Sequence, residues 1–422
     1  MAALRQPEAV ARYRFRYALA GVATLALASA APAIASAQAV SVGGAAKPLT
    51  IGVQERTTYD TDAARGSDQA ATLRGLDTAD VIYAPSITVD YASGIGRRGL
   101  ALRGYFGYDY YQKNTTLRRE HIDFSAAANT AIGALCTVGA QVAYDRGQSG
   151  LEDLTLLVTK NTIQTYTISA NESCASTAGL TENVQVSHSA AQNSSATLID
   201  FNTTGVSASV GYGNHALGNI SLIAGYNKTT YDRSAVPLAG VPSDLQVSSF
   251  GVQFFRPIGM RLSGTAGVFY SKSTSELGPG AVAGQNSSFS GLTANAGLTY
   301  HLGPRINLAA NLSRAVQATI RQDVGYSINN QASLSADYTV SSRIHANLGA
   351  SWSREDFRGG VVLVPTSAPN RVDLKSVTAG VSVKLGRTSA LSGEVQHEES
   401  TTDLALFNFK SDRVSLTLST SF

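Results

Sequence analysis

From residue 49 to the last residue, hydrophobic and polar positions alternate with a period of two, and helical periodicity is scarce. In "RINLAANLSRA", Ile306, Leu308, Ala310 and Leu312 share one face while Asn307, Asn311 and Ser313 share the other. In "RIHANLGASW", Ile344, Ala346, Leu348, Ala350 and Trp352 oppose His345, Asn347 and Ser351. Each segment has an apolar face and a wet face, as expected of strands standing between two unlike media.

Eighteen such segments can be laid out between 49–59 and 410–422, joined alternately by short and long connections. Short ones fall near 94–98, 132–133, 213–218, 256–259, 301–305, 341–343 and 386–389; long ones include 60–79, 233–244, 277–288 and 359–370. Short turns on one side and long loops on the other predict an all-β fold, a transmembrane antiparallel up-and-down β-barrel. The count becomes sixteen if 147–197, where 153–170 and 180–193 are the weakest strands, forms one long loop. An even number puts both termini on the short-turn, periplasmic side. Most segments exceed the roughly 9–11 residues that cross a bilayer, so the strands are expected to project beyond the outer leaflet.

Aromatic placement agrees with a membrane. Tyr212, Phe254, Tyr300, Tyr338 and Phe422 fall on the apolar parity at the lower ends of strands, where a ring at the periplasmic interface is favourable. Trp352, Tyr270 and Tyr110 fall at heights suited to an upper girdle. A soluble sandwich or β-helix explains neither this placement nor the turn asymmetry.

Composition divides the chain into three parts. Arg5, Arg12, Arg14 and Arg16, the apolar run "YALAGVATLALASAAPAIA" and the small residues Ala35-Ser36-Ala37 have the layout of a signal peptide over 1–37, cleaved before Gln38. Residues 38–48 are then a short periplasmic segment and 49–422 an outer-membrane barrel. Without the leader, 29 basic and 29 acidic residues remain. A balanced surface argues against nucleic acid as a partner, because phosphate binding needs an excess of Lys and Arg. No later run of about 18 apolar residues offers a spanning helix.

Candidate chemistry is sparse. Cys136 lies just above the turn at Gly133, and Cys174 falls in the next periplasmic connection, between 153–170 and 180–193. An oxidising compartment favours a disulfide between them over two free thiols. The six histidines show no metal-ligand spacing, and no cofactor is implied. A barrel hydrolase would place Ser and His two residues apart on one strand face; no histidine here has Ser at that offset.

Parity assigns the lumen-facing set. On "LRGYFGYDYYQK" it includes Arg103, Tyr105, Asp109 and Tyr111, and elsewhere Arg261, Glu394 and Glu398. Tyr105, Asp109 and Tyr111 together could stack against and hydrogen-bond a sugar chain; the plainer alternative is ordinary lumen lining.

At "ERTTYDTDAARG", and again at "DTADVIYAPSITVDYASGIGRRGLALRGYFGYDYYQKN", the sequence resembles the putative β-barrel porin 2 family. The resemblance implies an outer-membrane channel working with periplasmic export proteins in exopolysaccharide export, with no catalytic residues to carry over. A general diffusion porin for small hydrophilic solutes is the alternative, and an outer-membrane lipid hydrolase a third reading. The expected partners are outer-membrane lipids, the barrel-insertion machinery and a polysaccharide. The closing run Val414, Leu416, Leu418 and Phe422 resembles the signal that this machinery reads, with Thr420 less apolar than usual at its place.

Overall fold

The computed structural model describes residues 49–95, 97–149, 160–195, 198–214, 218–232, 243–259, 261–275, 288–319, 321, 324–358 and 369–422. The leader and the segment 38–48 lie outside the described residues.

The strands run β1 (Leu49–Asp60), β2 (Asp80–Ile95), β3 (Arg98–Tyr111), β4 (Arg119–Ile132), β5 (Cys136–Gln148) and β6 (Thr162–Ala175). They continue as β7 (Leu180–Asn193), β8 (Asp200–Asn214), β9 (Gly218–Asp232), β10 (Asp244–Ile258), β11 (Leu262–Thr274) and β12 (Phe289–Leu302). The last six are β13 (Ile306–Gln317), β14 (Tyr326–Thr339), β15 (Ile344–Arg358), β16 (Arg371–Lys384), β17 (Ser389–Thr402) and β18 (Phe409–Ser421). Each pairs antiparallel with the next, and β18 returns to β1, closing an 18-stranded barrel. At the seam Ile51 N donates to Phe422 O and Phe422 N donates to Ile51 O. Closure removes the open edges that hydrocarbon cannot solvate, and no helix among the described residues is long and apolar enough to span.

Register explains the alternation. Residues directly opposite share a face, so Val414 opposite Tyr59, Leu416 opposite Thr57 and Leu418 opposite Glu55 belong to the outer surface, with Arg413 opposite Asp60 inside. The outer surface is mainly apolar, with Leu292, Leu334, Leu348, Leu416 and Val395 all exposed. In water such a patch would be a liability, whereas in lipid it is the required surface. Tyr144 and Tyr166 sit opposite one another on β5 and β6, ring centroids 4.8 Å apart, in the upper girdle. The chain is an integral protein of the outer membrane.

Short turns use glycine where the backbone turns left-handed, as at Gly133 (φ 65°) and Gly303 (φ 66°). Inside the lumen, Phe269 lies over Gly251: a Cβ there would sit 2.6 Å from the Phe269 ring and 2.2 Å from Val268 O. Pro85 has no N–H to donate, and the β2–β3 pairing skips Ala84 and Pro85.

One boundary differs from expectation. β6 spans Thr162–Ala175 rather than 153–170, so Cys174 lies on a strand, directly opposite Cys136 on β5, and the two are disulfide-bonded. The reason lies in "NESCA", polar on both faces because it sits at the rim, below the hydrocarbon. Hydrophobic alternation fades there although the hydrogen-bonded ladder continues. With β6 and β7 both formed, eighteen strands replace the sixteen-strand alternative.

Candidate functional site

The lumen is not uniform along its axis. On β1, β3 and β18 the inward residues near the periplasmic end are partly exposed, and those near the extracellular end become buried. What buries them on this side is the connection between β1 and β2, residues 61–79.

This segment is folded. Ser67 caps a short helix, α1 (Asp68–Arg74), by accepting a hydrogen bond from Ala70 N, and Gly75 ends it in a left-handed conformation. Arg74 turns back and donates to the carbonyls of Ala64 and Arg65 at 2.9 and 3.2 Å, with its guanidinium over the Phe407 ring. Ala63, Ala64, Ala71 and Leu76 are buried in one cluster with Tyr111, Leu117 and Leu198. Leu198 belongs to the β7–β8 connection, five strands round from β2, so the cluster ties the segment to a second extracellular connection. Asp80 holds the far end by accepting from Lys113 N and Asn114 N, while Asn114 Nδ2 donates to Asp77 O. A second apolar cluster, with Phe201, Tyr231, Leu245, Val247 and Tyr326, lies at the extracellular end further round. There Tyr231 donates to the carbonyl of Gly325, joining β9 to the β13–β14 connection.

Beneath the 61–79 segment lies a charge network with almost no access to water. Arg65 Nη2 donates to Asp60 Oδ2 at 3.1 Å and Nη1 to Glu398 Oε1 at 3.2 Å. Arg413 Nη2 donates to Glu398 Oε2 at 2.7 Å, and its Nε lies 3.4 Å from Asp60 Oδ2. Ser411 Oγ and Asp62 N donate to Asp60 Oδ1, and Gln396 Nε2 donates to Glu398 Oε2. The Arg65 guanidinium also lies 5.1 Å from the centroid of Phe409. Side-chain exposure is 4% for Asp60 and 5% for Glu398 in these pairs. Charges so buried persist because each is paired and hydrogen-bonded.

Alongside, Asp109 accepts from Arg119 Nε at 3.0 Å and is hydrogen-bonded to His121 Nε2 at 2.9 Å, with Arg56 at 3.9 Å. Outside the strands, burial pushes the Asp62 carboxyl up to about 6; Arg65 opposes the rise and Asp60 adds to it. Asp62 Oδ1 has no hydrogen-bond partner among the described residues.

The residues singled out by parity are distributed unevenly about this site. Glu398, Asp109 and Tyr111 are in it, the last two sealed under the 61–79 segment. Arg103 is in the open lumen, 3.7 Å from Asp90, and Tyr105 lies against Gly107. Glu394 lies two residues along the inner face from Glu398 and is partly exposed, and Arg261 is in the turn before β11. Val414, Leu416, Leu418 and Phe422 are exposed on the outer surface. Parity puts Arg413 on the inner face, as found, but sequence reasoning missed Arg65, Asp60, Arg119 and His121. Parity could also have placed Asp60 inside, and Ser67 with Gly75 eight residues on is a helix signature within a long connection.

Residues 63–422 match the family described as putative beta-barrel porin 2. The chain belongs to that family. No curated protein matches the chain. Among solved structures it is similar to the siderophore receptor PirA from Pseudomonas aeruginosa, at 9% identity and TM-score 0.44, covering 90% of this chain and 81% of that one. It is also similar to the alcaligin outer-membrane receptor FauA from Bordetella pertussis, at 11% identity and TM-score 0.39, covering 88% and 76%. A third is the FrpB iron transporter from Neisseria meningitidis (F3-3 variant), at 10% identity and TM-score 0.46, covering 90% and 82%. At these values the likeness is one of barrel architecture and transfers no ligand.

The geometry corrects the functional expectation of an open exopolysaccharide channel or diffusion porin. The three structures named are a siderophore receptor, an alcaligin receptor and an iron transporter, and they share this chain's fold alone. Of the residues expected to contact a glycan, Asp109 and Tyr111 are buried beneath the 61–79 segment. Among the described residues, histidines 121, 188, 301, 345 and 397 are hydrogen-bonded to Asp109, Thr204, Asn307, Thr339 and Asp412 and not to a serine, the partner the hydrolase reading calls for.

Proposed function

We propose that this chain is a gated transport barrel of the outer membrane, in which residues 61–79 form the gate and the charged wall of β1, β17 and β18 is what the gate seals. The observation that carries this reading is the position of Arg65, which belongs to the segment yet is held by Glu398 on β17 and Asp60 on β1. A loop with no role in gating has no need of a buried ion-pair network, since breaking one partner of such a pair costs about 3–5 kcal/mol and an exposed loop can be anchored apolarly. The same network gives a switch, because a competitor for either carboxylate weakens the closed state. Substrate specificity then lies in opening rather than in pore width. Residues 1–37 are the cleaved leader in this reading, and N-terminal sequencing of membrane-extracted protein is expected to begin at Gln38.

Single-channel conductance in planar bilayers tests the gate. The wild-type barrel is expected to be mostly closed, and a variant with 63–77 replaced by a short Gly-Ser linker to conduct steadily. Equal conductance of the two, with both shown to be folded by heat-modifiable migration, would overturn the gate.

A further inference from the structure

Among the described residues, Arg65 is the one non-glycine residue with a positive φ, 49°. Side-chain-bearing residues avoid that region, so the surroundings must hold Arg65 there. Its backbone is held by Arg74, which donates to its carbonyl, and its side chain by its guanidinium. One side of the fork meets Asp60 and the other Glu398, with the Phe409 ring alongside. These partners come from β1, β17 and β18, which stay in the barrel wall whether or not the segment is docked.

Taking Arg65 away leaves Asp60 and Glu398 facing Arg413 alone, one negative charge in excess. The remaining wall supplies Ser411 and Gln396, each already hydrogen-bonded to one of the carboxylates, and an aromatic ring beside them. Asp62 adds a third carboxylate at the hinge of the segment; its residue is 8% exposed and its Oδ1 lacks a hydrogen-bond partner among the described residues. Two carboxylates spaced for the two edges of a planar fork, beside a π face, suit a guanidinium better than a compact ammonium. An anion would meet the excess negative charge, and a neutral solute would leave it uncompensated.

We propose that this cradle is a binding site for a guanidinium group of the transported ligand, and that Arg65 is its tethered occupant. The inference rests on the gate reading above and names the chemistry that opens it. Ligand binding and undocking of 61–79 become one competition: the incoming cation takes the carboxylates, and Arg65 leaves with the segment. A tethered group acts at an effective concentration of about millimolar, so a competing ligand must bind at least that well.

The test uses the full barrel carrying Arg65→Ala, with ethylguanidinium as probe and the neutral, similarly shaped ethylurea as control. Arg65→Ala is expected to raise conductance several-fold; millimolar ethylguanidinium is expected to raise that of the wild type by displacing Arg65 and to add nothing in Arg65→Ala, while ethylurea has no effect on either. Ethylguanidinium is also expected to raise the melting temperature of Arg65→Ala, and to do so neither in Arg65→Ala/Glu398→Gln nor, to the same extent, in the wild type, where the cradle is filled. If Arg65→Ala conducts but ethylguanidinium acts no better than ethylurea, the cradle is overturned and the gate stands. If Arg65→Ala stays closed, the gate is overturned, and the melting shift alone decides the cradle.

Discussion

Arg65 and Glu398 are 333 positions apart in sequence, and the guanidinium of one donates to the carboxylate of the other at 3.2 Å. The pair ties the first extracellular connection to the penultimate strand. It also makes the docking of 61–79 a property of the whole barrel, since neither group keeps its partner unless β1, β17 and β18 are in register.

Because both side chains are buried, removing either leaves an uncompensated charge. Glu398→Ala and Arg65→Ala are each expected to weaken gate docking by about 3 kcal/mol, and the double variant by far less than the sum. Open probability in bilayers reads this cycle directly. Additive single effects would show that the two residues act independently.

Acidity should favour closure. The Asp62 carboxyl stands at about 6 in the docked segment, above the ordinary aspartate value near 3.9. The docked form therefore binds a proton more tightly than the undocked one. This contribution is fully present below about pH 4 and is lost as the pH rises through 6. Conductance measured from pH 4 to 7 should rise over that window in the wild type, and Asp62→Asn should flatten the rise.

The Cys136–Cys174 disulfide closes a stretch of 38 residues that contains the whole β5–β6 connection. Chain-entropy arguments assign such a closure about 4 kcal/mol through the unfolded state. Cys136→Ser/Cys174→Ser should unfold at a lower temperature in heat-modifiability gels, with conductance unchanged because both residues lie at the periplasmic rim. A change in gating would place the disulfide in the transport machinery instead.

Gly251 has no room for a methyl group, as a Cβ would lie 2.2 Å from Val268 O. Gly251→Ala is expected to cost roughly 1–3 kcal/mol by separating β10 from β11, visible as a lowered melting temperature. Phe269→Ala removes the ring from that wall and should partly rescue the variant only if the clash is with the ring rather than the backbone.

Phe422 exchanges two backbone hydrogen bonds with Ile51 across the seam, and its side chain is exposed on the outer surface. Deleting it should slow insertion in reconstituted assembly assays more than it lowers the stability of barrels already formed. Val414, Leu416 and Leu418 then serve as the rest of the signal read by the insertion machinery, and normal insertion of the truncated chain would exclude that role.

Most of the barrel was legible because its physics is local. A strand between lipid and water must alternate, and Val414, Leu416 and Leu418 declare their face without reference to any other strand. The same rule failed at "NESCA" in β6, where neither side of the sheet is lipid and polarity carries no phase. The site was legible only in part. Parity could put Asp60, Glu398 and Arg413 inside, but not beside one another, since that depends on closure bringing β18 back to β1. Arg65 carried no signal at all: a charged residue in a long connection is ordinarily solvated. The sequence by itself determined the barrel, its orientation and its two surfaces, because solvent contrast acts on each residue separately. Only the tertiary structure decided that residues 61–79 dock on the barrel wall and by what, because a buried guanidinium is stable only where distant strands bring carboxylates to it.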